Sequence, residues 1–204
     1  MRIIGIIPAR MASSRFPGKP MALIHGMPMI GHCYLRSKLC KLLTDCYVAT
    51  PDKEIYDYIS SIDGKAIMTS HKHIMCNDRV VEAVNKIEKN NKIKYDIIVN
   101  IQGDLPMIFP DMIDNLIKPL IMNQNIECST MADPVLNEKE FNDPNRVKVI
   151  FDLNKNAILF IIQVCTTIMV ETVLTGLISE QLGLRPMPMM AMCCRIPISW
   201  KLFI

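Results

Sequence analysis

Much of what would mark a specialised chain is missing from these 204 residues. Eight glycines are too few for a collagen-like protein or a Gly-rich linker. Neither sign of charge dominates, with 23 Lys+Arg against 20 Asp+Glu, and a net charge of +3 gives no argument for nucleic acid as a partner. Half of the residues are hydrophobic and 21% are charged, which excludes an intrinsically disordered chain. No CxxC pair occurs. Cys33, Cys40, Cys46, Cys76, Cys128 and Cys165 are scattered and only Cys193 and Cys194 adjoin, so the thiols read as structural or incidental rather than as zinc ligands. The opening MRIIGIIPAR lacks the pattern of an export signal, because Pro8 and Arg10 end a short apolar run without a small-residue cleavage site. The expected compartment is therefore the cytoplasm. Ala157 to Val170 is the notable uncharged stretch, and its 14 residues fall short of the roughly 20 that span a membrane. Neither a Walker loop nor a GxGxxG fingerprint is present.

What is there up to Phe160 is an alternation of strands and helices. Arg2 to Pro8 is a continuous apolar run, as expected of a buried parallel strand. Pro28 to Leu43 reads as a helix with Ile30, Cys33, Tyr34 and Ser37 at helical spacing. Cys46 to Ala49 reads as a strand, Lys53 to Ser60 as a helix and Ala66 to Met68 as a third strand. Asp78 to Lys89 is expected to be helical, with Val80, Val81, Val84 and Ile87 on one face. Tyr95 to Ile101 is the most apolar strand, followed by a helix over Pro110 to Met122 and strands over Glu127 to Ala132 and Val147 to Phe151. The pattern predicts an α/β fold with a mostly parallel sheet covered on both faces, in which ligands lie beyond the carboxyl ends of strands.

Two of those strand ends carry unusual residues. The segment IIPARMASSRFPGKP, Ile6 to Pro20, gathers Arg10, Arg15 and Lys19 with Ser13, Ser14 and Gly18 in one loop. Arg offers forked donors, Lys a mobile point charge, and the hydroxyls and backbone N–H groups further donors, which together suit a polyphosphate. A solvated basic loop would otherwise read the same way. In NIQGDLP, Asp104 follows the most apolar strand. A lone carboxylate facing a phosphate loop suits Mg²⁺, which takes few ligands from protein and the rest from phosphate and water. In isolation such an Asp could equally cap the next turn.

The order R-x-x-S-S-R-x-P-G-K-P directly after a buried strand resembles the opening signature of the sugar-activating cytidylyltransferases, most closely the 3-deoxy-manno-octulosonate (Kdo) type. HGMPMIGHCYLRSK (His25 to Lys38), YVAT (Tyr47 to Thr50) with Asp52, VNIQGDLPMI (Val99 to Ile108) and FNDPNRVKVIFD (Phe141 to Asp152) are similar to later segments of that family. The likeness covers about residues 2 to 160. It implies a three-layer nucleotide-diphospho-sugar transferase fold, GT-A-like and Rossmann-like, and transfer of CMP from CTP to a 3-deoxy sugar acid with release of pyrophosphate. It further implies nucleotide contacts from Pro8, Ala9, Arg10, Ser13, Arg15, Lys19, His73, Asp78 and Arg79, and a sugar contact from Gln102. Asp104 is implied as the Mg²⁺ ligand, with Arg10, Lys19 and Asp104 as catalytic residues. A homodimer serving lipopolysaccharide or another surface glycan is expected, with no nucleic acid or membrane as partner. Near the base-recognition segment the chain departs from H-x-S-G-T-[DE]-R, carrying Met75, Cys76 and Asn77 where Ser, Gly and Thr are usual.

Beyond Phe160 the texture changes. Only five charged residues follow, with no Asp and no His, and RPMPMMAMCCR has no assignable periodicity. The expected organisation is a nucleotidyltransferase core over residues 1–160 and an atypical hydrophobic tail over residues 161–204, frameshifted or diverged. The alternative to an enzyme is a nucleotide-binding remnant of the same family without turnover. A weaker alternative is a membrane-tethered interaction protein that uses Ala157 to Ile178.

Overall fold

A computed structural model describes residues 1–12, 16–143, 146–161, 185–187 and 192–195. In chain order the elements are β1 (Ile3–Pro8), the short hairpin β2 (Leu23–Ile24) and β3 (Met27–Pro28), α1 (Met29–Lys38), β4 (Asp45–Thr50), α2 (Lys53–Ser61) and β5 (Ala66–Met68). Then come α3 (Cys76–Asn91), β6 (Ile97–Asn100), α4 (Pro110–Met122), β7 (Cys128–Thr130), α5 (Glu138–Asn142), β8 (Val147–Phe151), β9 (Ala157–Ile161), β10 (Arg185–Met187) and β11 (Met192–Arg195).

The chain divides into two compact units, one of Met1–Thr130 with Ala191–Ile204 and the other Met131–Met190. The composition break near residue 160 lies within the second unit. The first unit holds a six-stranded sheet in the order β5-β4-β1-β6-β11-β7. β5, β4, β1 and β6 run parallel, and β11 is antiparallel to both β6 and β7. The expected mostly parallel sheet is thus what forms.

The apolar run of β1 places side chains on both faces, and both are covered: Ile3, Ile4, Ile6 and Ile7 are all buried. Ile4 and Ile6 pack with Ile98 beneath Val80, Ala83, Val84 and Ile87 of α3. On the opposite face, α1 packs against β1 and β4 through a stripe that includes Ile30, Cys33, Tyr34 and Ser37, all buried. Truncating Ile87 to Ala in such a core costs about 2–5 kcal/mol. Val81 is only half-buried; Ala83 takes the place on the inner face expected for it.

Several boundaries differ from the sequence pattern for identifiable reasons. α1 ends at Lys38 rather than Leu43, because the N–H groups of Leu39 and Cys40 donate to Arg36 and Ser37 in tight final turns. The following residues serve packing instead, and a Cβ added to Gly5 would lie 2.9 Å from Leu43 Cδ1. α3 begins at Cys76, two residues before the expected Asp78. β6 is shorter than the run Tyr95 to Ile101, although Asp96 N–H to Arg2 O and Ile101 N–H to Ile6 O extend its pairing with the β1 segment at both ends. β10 and β11 arise from the segment without assignable period; as three- and four-residue strands they carry too few residues to show one.

The second unit contains α5 and an antiparallel sheet in the order β10-β8-β9. Asn137 caps α5, its side-chain oxygen accepting from Glu140 N–H at 2.9 Å. Among the described residues, no helix is long and apolar enough to cross a membrane.

Candidate active site

The two unusual strand ends lie side by side in the first unit. β1 and β6 are neighbours in parallel register, so the chain leaves both at the same edge of the sheet. Gly103 allows the second turn to close on the first: a Cβ there would lie 2.8 Å from the Pro8 carbonyl oxygen. Cys33 lies beneath, its Sγ donating to Gly103 O at 3.4 Å, and burial pushes this thiol up to about 12, so it stays neutral. Gly18 turns the end of the basic loop with φ +73 and hands the chain to a 3-10 turn over Lys19–Met21. Lys19 Nζ then meets Asp104 Oδ2 at 2.7 Å. The expected phosphate cation and the expected metal carboxylate therefore hold each other, both partly open to solvent. A pair so exposed is worth at most about 1 kcal/mol, little enough for a charged ligand to part it.

A cavity of about 260 Å³ opens at this edge. Pro8, Ala9, Arg10 and Lys19 line it from the first loop, and Gln102 and Asp104 from the second. The start of α3 supplies Cys76 and Arg79, preceded by Ile74 and Met75. Arg79 is 3% exposed, and its Nη1 donates to Thr69 Oγ1 at 2.6 Å and Ser70 O at 3.2 Å. Burial lowers its affinity for its proton, and the charge of Arg10 lowers it further. Asp52 and Glu82 offset this in part. Two guanidiniums that line one cavity and act on each other's charge suit an anion with several oxygens.

The loop before α3 is tied from behind. Glu82 accepts from Ser70 N–H at 2.8 Å, from His73 Nε2 at 2.5 Å and from Lys86 Nζ at 2.8 Å. Burial alone would raise this carboxyl, but the three donors win and hold it at about 2. His73 is thus engaged with Glu82 and does not line the cleft. Asp78 is exposed in the first turn of α3 and does not line it either. Consecutive helical residues point about 100° apart, so with Arg79 turned inward Asp78 faces solvent. Asn77 accepts from Asn100 Nδ2 at 3.1 Å, pinning the helix start to the end of β6.

Of the residues expected at the site, Pro8, Ala9, Arg10, Lys19, Arg79, Gln102 and Asp104 come together around one cavity. Ser13 and Arg15 lie outside the described residues, as does most of the tail beyond Ile161. Pro20, Met29 and Ile74 also line the cleft and were not singled out in the sequence. Their signal was positional, since each adjoins a strand end or a helix start in the matched segments. Among the described residues, no group of three or more His, Cys, Asp or Glu is arranged to hold a metal. Asp104 alone fits Mg²⁺, which needs only one or two protein carboxylates when phosphates and water complete its shell.

Known proteins resemble this chain in both sequence and fold. The chain is 45% identical over 162 residues to a 3-deoxy-manno-octulosonate cytidylyltransferase of Thermodesulfovibrio yellowstonii, covering 78% of this chain and 63% of the relative. It is 41% identical to an 8-amino-3,8-dideoxy-manno-octulosonate cytidylyltransferase of Shewanella pealeana, covering 78% of this chain and 64% of the relative. The chain thus spans somewhat under two thirds of the length of the curated relatives it matches. Among solved structures, a CMP:2-keto-3-deoxy-manno-octonic acid synthetase complexed with CTP superposes with a TM-score of 0.80 at 29% identity, covering 96% of this chain and 74% of that one. A family model described as cytidylyltransferase matches residues 4–179. By that match, which takes in both strand ends and the cavity between them, the chain belongs to the cytidylyltransferase family.

Proposed function

We propose that this protein transfers CMP from CTP to 3-deoxy-manno-octulosonate, or to its 8-amino relative, and releases pyrophosphate. The observation that carries the reading is the cavity itself, which among the described residues is lined by the cations Arg10, Arg79 and Lys19 and by a single carboxylate, Asp104. Three cations against one anion match a triphosphate accompanied by a divalent ion.

In the reaction, the sugar's anomeric hydroxyl oxygen forms a bond to the α-phosphorus, the bond to the β-phosphate oxygen breaks, and the hydroxyl proton passes to solvent. Arg10 and Lys19 neutralise the negative charge that gathers on the departing pyrophosphate. Arg79 is already fixed by Thr69 and Ser70, so it meets the nucleotide without losing rotamer freedom. Gln102 offers an amide to the sugar acid beside Asp104. Asp104 would hold Mg²⁺, which when bound makes the hydroxyl more acidic and polarises the α-phosphate. Ser13 and Arg15 belong to the same loop in sequence and complete the proposed nucleotide contacts, whereas His73, held by Glu82, and the solvent-facing Asp78 are left out of them. We place the enzyme in the cytoplasm as a homodimer that supplies lipopolysaccharide or another surface glycan.

A second reading is favoured by Asp104 being the lone carboxylate lining the cleft among the described residues. On that reading the protein binds CTP without turning it over. One assay separates the two. CTP, Mg²⁺ and the sugar acid should release pyrophosphate, and Lys19→Ala should slow the release about a hundredfold, with Asp104→Ala also cutting it sharply. CTP binding with no pyrophosphate from either sugar acid would select the binding-only reading.

A further inference from the structure

Asp52 lies outside the cavity lining, yet it touches the loop that carries two of the cavity's cations. It occupies the position just before α2, where an Asp side chain usually caps its own helix. Here it makes no such bond. Its Oδ2 instead accepts the N–H of Met11 at 2.7 Å, across 41 residues of sequence. The carboxylate's own position is fixed, because Asp52 N–H donates to the buried Thr50 Oγ1 at 3.1 Å and Asp52 O accepts from Tyr56 N–H at 3.1 Å.

Met11 is the closing point of the basic loop. Its carbonyl accepts Gly18 N–H at 3.0 Å, and Lys19 follows Gly18 directly. On the other side, Ala9 N–H donates to Ala49 O at 2.9 Å, so the backbone of Arg10 is clamped between a bond to the end of β4 and a bond to Asp52. One carboxylate thus holds the base of a loop that presents Arg10 on one arm and Lys19 on the other. Without it, the Met11 N–H loses a charge-assisted bond, and both arms are free to drift from a ligand that they must grip together.

We propose that Asp52 is a positioning residue for polyphosphate binding: through its acceptor oxygen on Met11 N–H it sets the spacing of Arg10 and Lys19. This rests on the reading that the cavity takes CTP. Asp52 also acts electrostatically on Arg79. The Asn variant separates the two roles, since Asn keeps an acceptor oxygen in the same place and removes the charge.

The test is CTP binding by calorimetry in Mg²⁺, with the full chain and with thermal melts alongside. Asp52→Ala is expected to weaken CTP about tenfold, the scale of one lost hydrogen bond to a charged group. Asp52→Asn should recover most of that loss. In a Lys19→Ala background, Asp52→Ala should add little, because an arm already emptied has nothing left to position. Equal affinity of Asp52→Ala and the unaltered chain would overturn the proposal. So would an Asn variant as weak as the Ala variant, or full additivity with Lys19→Ala. If Asp52→Ala does not fold, Asp52→Ser, whose oxygen is too short to reach Met11, is read in its place. Failure of the unaltered chain to bind CTP at all would instead reject the functional reading, and the role of Asp52 with it.

Discussion

The two ends of the central sheet both carry charged and polar side chains, but they use them differently. At the amino end the groups satisfy one another. Asp45 accepts from Lys65 Nζ and from the buried Tyr95 hydroxyl, each at 2.6 Å. Glu88 is 6% exposed, accepts Tyr95 N–H at 3.0 Å and pairs with Lys94. Asp96 accepts the N–H of Arg2 at 2.7 Å. At the carboxyl end, Arg79 and Arg10 oppose each other, and the Lys19–Asp104 pair lies open beside a cavity. Buried polar groups that answer each other specify a fold. Like charges held together at a cavity, with their offset incomplete, specify a ligand.

The widest separation of the two ends should come from Lys19→Ala. On the proposed function, its contact with a developing phosphate charge would be worth on the order of 3 kcal/mol in the transition state, a loss of about a hundredfold in turnover. The pair it forms with Asp104 is exposed, so the melting temperature should hardly move. Tyr95→Phe tests the other end in the opposite sense. It removes the hydroxyl that donates to Asp45 while leaving the ring buried, and should destabilise the fold by about 1.5 kcal/mol with CTP affinity unchanged. Urea titration and calorimetry on the same two variants would read both quantities. A Tyr95→Phe variant that lost CTP binding would break the distinction.

Much of this was legible in the sequence, for reasons that differ by element. α4 was readable at both ends because Pro110 starts it and its apolar face is strongly periodic. β5 and β8 were readable because they are short apolar runs bounded by polar turns. The end of α1 was hidden, since nothing in Cys40 to Leu43 breaks a helix and the packing of Leu43 over Gly5 is a tertiary matter. β11 was hidden because its partners, β6 and β7, lie roughly 90 and 60 residues earlier in the chain, and four residues show no period. In the site, Arg10, Lys19, Gln102 and Asp104 were readable from their motifs at strand ends. The place of His73 against Glu82 was not, because Glu82 lies beyond the motif that ends at Arg79 and meets His73 only once α3 folds.

Acid should reveal a third, intermediate case. Glu82 joins the loop before α3 to its helix, and so belongs to the scaffold while it supports the site. Its carboxyl sits at about 2 in the fold against an ordinary value of 4.5, held down by Lys86, Ser70 N–H and His73 against the opposing effect of burial. A depressed carboxyl stabilises the fold above its unfolded value and loses that contribution as the pH drops toward the folded one. Stability should therefore fall between about pH 4.5 and 2 by on the order of 1 kcal/mol, after allowance for solvent around the pair. Glu82→Gln should remove that part of the acid dependence, as measured by denaturant titration across this range.

The smallest effect sets the scale for all the others. Lys53 and Asp57 form an ion pair on the outer surface of α2, at 2.8 Å and with 82% and 55% of their side chains exposed. The distance is within 0.1 Å of the 2.7 Å of Lys19–Asp104. Distance therefore cannot tell the two pairs apart; what differs is the surroundings. Lys53 has solvent on nearly every side, while Lys19 faces a cavity lined by Arg10 and Gln102. Lys53→Ala should change stability by about 0.3 kcal/mol and leave turnover and CTP affinity where they were. A Lys53→Ala variant that matched Lys19→Ala in lost turnover would show that net positive charge on the protein, rather than its placement at the carboxyl ends of β1 and β6, is what the nucleotide reads.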